Sequence, residues 1–144
     1  MKISMHFNHP TTREACRIVM MHYQDKDFLD LISQAEFNHT MHDSFTVANR
    51  LRNLMFGLEI DVKLYKTLNP WSKVIGYADG ETIYVNERKL DLPLLDRIEN
   101  IYHEATHLCG FSHLGNTPNK YNLETVPYKA ANIFAKYCKG IYDQ

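Results

Sequence analysis

The chain has 144 residues, 44% of them hydrophobic and 23% charged, with a formal net charge of −1 at pH 7. These values predict a single globular domain, 1–144, large enough to bury a core. They exclude a strongly basic nucleic-acid surface and a membrane span, and three cysteines do not make a disulfide framework. The start Met1-Lys2-Ile3-Ser4-Met5-His6 lacks the apolar stretch of a signal peptide. The expected compartment is therefore the cytoplasm, with secretion the alternative if a targeting segment has been removed.

Residues 11–23 open with Thr11-Thr12-Arg13-Glu14, a capping-box pattern, and continue as an amphipathic helix. Residues 27–34 read as a second short helix and 35–41 as a strand. Helix 44–56 is capped by Asp43 or Ser44 and stopped by Gly57. Residues 58–65 alternate apolar and polar, as a half-buried strand does. Asn69-Pro70-Trp71-Ser72 breaks that strand, and Trp71 is expected to cap the core. Strands at 74–77 and 82–86 flank Ala78-Asp79-Gly80-Glu81, a hairpin-like turn. Residues 92–110 form a helix, 114–126 an irregular loop, and Pro127 or Tyr128 opens a last helix. The predicted class is α+β, a small mixed sheet packed on helices. Residues 1–34 form a helical N-terminal extension, 35–113 the core, and 114–144 the loop and C-terminal helix.

The helix at 92–110 carries His103-Glu104-Ala105-Thr106-His107-Leu108-Cys109-Gly110-Phe111-Ser112-His113, that is, H-E-x-x-H-x-x-G-x-x-H. Two histidines four apart lie on one face of a helix. Gly110 lets the chain leave through a left-handed or otherwise strained turn, and His113 returns as a third nitrogen ligand. Three neutral imidazoles and an open position describe a catalytic zinc site. Glu104 is placed to handle the proton of the attacking water. Leu94, Ile98, Ile101, Tyr102, Ala105 and Leu108 make a buried stripe, with His103 and His107 turned roughly opposite. Cys109 reads as a small core residue. Glu124 is the competing third ligand. The remaining histidines, His6, His9, His22, His39 and His42, read as exposed or hydrogen-bonded side chains. Metal affinity is expected to fall below about pH 6, as imidazoles protonate.

Residues 103–113 resemble the zinc signature of the metzincin clan of metallopeptidases. The element order from 44 to 110 resembles, more loosely, the N-terminal half of a zincin domain. The resemblance implies a zincin-like fold and zinc held by His103, His107 and His113. Glu104 is then the general base, and a peptide or protein substrate lies extended along the strand Thr82–Asn86. The clan's methionine turn is missing, since all six methionines precede His113. Thr125-Val126-Pro127-Tyr128 stands in its place. Astacin-like members use a tyrosine there to stabilise the transition state, which makes Tyr128 the corresponding candidate. A bacterial family of single-strand endoribonucleases that mature ribosomal RNA is similar in its three-histidine spacing. It gives the alternative enzyme class, and a non-catalytic zinc-binding module is the third reading. Residues 1–34 are expected to pack as a helical layer, with a pro-segment in which Cys16 or an acidic residue touches the metal as the alternative.

Overall fold

A computed structural model of the chain describes residues 1–143 and is α+β, with five helices and a four-stranded mixed sheet. The elements are β1 (Lys2–Met5), α1 (Pro10–His22), α2 (Lys26–Gln34), α3 (Ser44–Phe56), β2 (Glu59–Tyr65), β3 (Gly76–Asp79), β4 (Thr82–Asn86), α4 (Leu94–Leu108) and α5 (Val126–Tyr142). The sheet order is β1-β2-β4-β3, with β3 antiparallel to β4 and the other pairs parallel. Alternation puts Ile60, Val62, Ile83 and Val85 on the core face, where Val62 pairs with Ile83 and none of the four exceeds 2% exposure. Helix α4 lies against β3 and β4, between α1 and α5. Phe28 of α2, Tyr102 of α4 and Phe134 of α5 close the far side. Tyr102 stacks on Phe134 at 4.5 Å between centroids, and Phe28 meets Phe134 edge-on at 4.9 Å.

Local chemistry explains the helix starts. Asp43 Oδ1 accepts from the Thr46 N–H at 2.7 Å, and this bond holds its carboxyl below the usual range. Helix α1 begins earlier than its capping-box pattern suggests. His9 Nδ1 accepts from the Thr12 N–H at 3.2 Å, with Pro10 at the first helical position, where its missing N–H costs nothing. Arg97 of α4 is fully buried without a carboxylate in hydrogen-bonding contact. It donates to Asn100 Oδ1 at 3.0 Å and to the Lys89 carbonyl at 2.6 Å, tying the start of α4 to the 3-10 turn Glu87–Lys89 that follows β4.

Several expectations are corrected. Residues 1–34 also supply a strand, since β1 pairs with β2 through Ile3↔Ile60 and Met5↔Val62 and α1 packs on α4, so the segment belongs to the core. Residues 35–41 form no strand. One parallel bridge, Asn38↔Thr125, is the strand-type pairing there, and His39 takes a φ of 61°, outside the extended region. Trp71 does not cap the core but stands 84% exposed in the β2–β3 connection. The strand Thr82–Asn86 is paired on both sides, so it is internal and offers no free edge. The edge beside α4 is β3. Cys109 and Cys16 are buried, as small core residues are. Among the described residues no helix is long and apolar enough to cross a membrane.

Candidate metal centre

Helix α4 sets His103 and His107 one turn apart, with their Nε2 atoms 3.2 Å from each other. The helix then ends in a paired-hydrogen-bond turn. The Gly110 N–H donates to the His107 carbonyl at 3.0 Å and the Phe111 N–H to the Thr106 carbonyl at 3.2 Å. Gly110 takes φ +91°, which an L side chain rarely adopts. Phe111, 8% exposed, anchors the turn in the core. Its carbonyl accepts from His107 Nδ1 at 2.8 Å. That bond requires a proton on Nδ1, so in the neutral ring Nε2 carries the free lone pair. Two residues later His113 swings back, and its Nε2 lies 3.1 Å from that of His107 and 3.3 Å from that of His103.

The three histidines are the metal-capable cluster found among the described residues. A ring nitrogen directs one lone pair or one N–H along a single line, so three such atoms meeting at one point cannot all satisfy one another. A cation at that point satisfies all three. Burial, reinforced by the neighbouring imidazoles, holds His103 down at about 3, and burial also lowers His107 although the Phe111 carbonyl opposes it. Both rings are thus neutral near pH 7, the form that ligates. Protonation of His103 competes at lower pH than the ordinary imidazole value suggests.

Glu104 is 5% exposed, and burial pushes its carboxyl up to about 7. Its Oε1 lies 3.9 Å from His103 Nε2, too far for a hydrogen bond, and with His103 neutral the two form no ion pair. Tyr128, in the first turn of α5, lays its ring against His103 at 4.5 Å and His113 at 4.8 Å between centroids. Its hydroxyl is pushed up by burial and by the Glu104 charge. All five sequence-derived site residues therefore gather in one place. Glu124 does not join them. It sits half-exposed in a 3-10 turn, Asn122–Glu124, and pairs with Lys129. The other histidines find separate partners, among them Asp61 for His6, Asp25 for His22 and Tyr121 for His39.

Two participants carried no sequence signal. The Phe111 carbonyl acts through backbone, which any residue type supplies. Asn122, fully buried, hydrogen-bonds the backbone of Leu114 directly after His113, yet reads as one more polar residue in a polar loop. A cavity of about 440 Å³ between α2 and α3, lined by Leu29, Phe45 and Arg52 among others, contains none of these groups. No protein-family model matches the chain, and comparisons with curated proteins and with solved structures return no match.

Proposed function

We propose that the protein is a zinc-dependent metallopeptidase of zincin-like fold, with His103, His107 and His113 as metal ligands. The observation that carries this reading is the convergence of three Nε2 atoms, 3.1–3.3 Å apart, beside a buried carboxyl. Tetrahedral zinc with Zn–N bonds of about 2.0–2.1 Å needs its nitrogens about 3.3 Å apart, so the residues fit the ion. Bound zinc supplies Lewis acidity, polarising the scissile carbonyl and acidifying water. Glu104, poised near neutrality, removes the proton from the attacking water and delivers it to the departing amine. Tyr128 directs its hydroxyl at the developing oxyanion. The substrate peptide extends along β3, the antiparallel edge beside α4, by backbone pairing.

The test is hydrolysis of a mixed-sequence peptide library by the zinc-loaded protein, with Glu104→Ala run beside it. The expected result is cleavage by the native chain and none by a variant that still binds zinc. Zinc bound without cleavage by either protein would refute the peptidase. Single-stranded RNA, the substrate of the endoribonuclease reading, is then the next to assay, and a non-catalytic zinc module remains if it too is left intact.

A further inference from the structure

His107 is oriented by a hydrogen bond from its own ring to the Phe111 carbonyl. His113 has no equivalent, because its Nδ1 is buried without a hydrogen-bond partner. With no hydrogen bond on that atom, the ring is held by packing against Tyr128 and by the backbone on either side. Upstream that constraint is the Gly110 turn. Downstream it is Asn122, which grips Leu114, the next residue, by both main-chain groups. Asn122 Oδ1 accepts from the Leu114 N–H at 3.0 Å, and Asn122 Nδ2 donates to the Leu114 carbonyl and to the Thr117 carbonyl, the latter at 2.8 Å. The amide orientation follows from the partners, since the reverse would set NH₂ against an N–H. The Asn122 carbonyl in turn accepts from Thr125 Oγ1 at 2.6 Å, one residue before α5 and its Tyr128. Asn122 and Thr125 are both fully buried.

We infer that Asn122 is the positioning residue for the third metal ligand, locking His113, the 114–121 loop and the start of α5 into one unit that zinc binding tightens. The inference rests on the three-histidine zinc site proposed above, and it is independent of whether that site hydrolyses peptides. The Leu114 N–H and the Leu114 and Thr117 carbonyls all meet the one side-chain amide of Asn122, so removing that side chain takes away three hydrogen bonds right beside His113.

The experiment is a double-mutant cycle on zinc affinity, measured by competition with a chromophoric chelator. It uses the native chain, Asn122→Ala, His113→Ala and the pair. Asn122→Ala alone should weaken zinc about 10–100-fold, the usual loss when support around a ligand is removed. In the His113→Ala background the same change should cost nothing further. An additive cycle, or unchanged affinity in Asn122→Ala, overturns the inference. A second measurement needs no Asn122 variant. Zinc should slow tryptic cleavage after exposed Lys120 in the native chain and not in His113→Ala. Equal protection in both, or none in the native chain, also overturns it. A native chain that binds no zinc overturns the metal site itself. A zinc-binding chain with an additive cycle overturns only the role of Asn122.

Discussion

Replacing Gly110 by alanine isolates the cost of the turn that carries the chain from α4 to His113. A Cβ added at Gly110 meets nothing within 4 Å, so packing contributes no penalty. The whole cost is the φ of +91°, about 1–2 kcal/mol for an L residue forced into left-handed backbone. Reduced freedom of the unfolded chain returns roughly 0.4–1 kcal/mol, leaving a net loss of about 1 kcal/mol. Gly57 supplies the control. Its surroundings are equally open, but it caps α3 at φ −87° and ψ 0°, where alanine is at ease. Gly57→Ala should therefore stabilise by about 0.4–1 kcal/mol. The two substitutions add the same methyl group in empty space and should move the melting temperature in opposite directions, each by about 2–4 °C. Urea denaturation of the metal-free protein gives both signs. Zinc titration should separate the two further, because only the Gly110 turn aims His113. If Gly110→Ala were neutral, or if both variants shifted alike, the assignment of cost to backbone conformation would be wrong.

Tyr128→Phe keeps the ring against His103 and His113, so zinc affinity should hold while kcat drops roughly 10²–10³-fold; full kcat would remove the hydroxyl from the mechanism. Calorimetric zinc titration should show much weaker but measurable binding in His113→Ala, where two imidazoles remain, and native binding in Glu124→Ala, whose carboxylate serves Lys129. Two buried groups oppose each other in acid. His103, lowered from 6.5 to about 3, costs the metal-free fold stability as pH falls below 6.5, because only the unfolded chain takes up that proton. Glu104, raised from 4.5 to about 7, binds its proton first in the folded state and adds stability over the fall from pH 7 to 4.5. Between pH 6.5 and 4.5, therefore, metal-free Glu104→Gln should lose stability more steeply than the native chain, and equal slopes in denaturant titrations would contradict the burial argument. Phe134→Ala opens the stack with Tyr102 and Phe28 and should cost about 3–5 kcal/mol in the same assay.

What the sequence revealed was what short-range physics controls. The i, i+4 spacing of His103 and His107, the glycine at 110 and the alternation along β2 each act within a few residues, and each reappears in the structure. The failures involve partners far along the chain. β1 is only Lys-Ile-Ser-Met, too short for a periodic signal, and becomes a strand because Glu59–Val62 stands ready to pair with it. Whether Thr82–Asn86 lay inside the sheet or at its rim depended on where β2 came to rest. Trp71 reads as core by its apolar character, yet the β2–β3 connection holds it in solvent. Asn122 was invisible for a related reason. Its chemistry is ordinary, and only the return of residues 114–122 upon themselves brings it to Leu114.

The turn after α4 uses one residue's main chain twice. The Phe111 N–H closes the helix, and the Phe111 carbonyl sets the tautomer of His107. Nine consecutive residues, 103–111, therefore hold two metal-capable histidines on one helix face, a glutamate beside them and the hydrogen bond that orients the second ring, and the core supplies only the pocket for Phe111. Such a stretch is portable. Spliced onto the end of an unrelated helix with a core pocket for the Phe111 ring, it should arrive with its two imidazoles already aligned. A third ligand could then be recruited from whatever loop the new host provides.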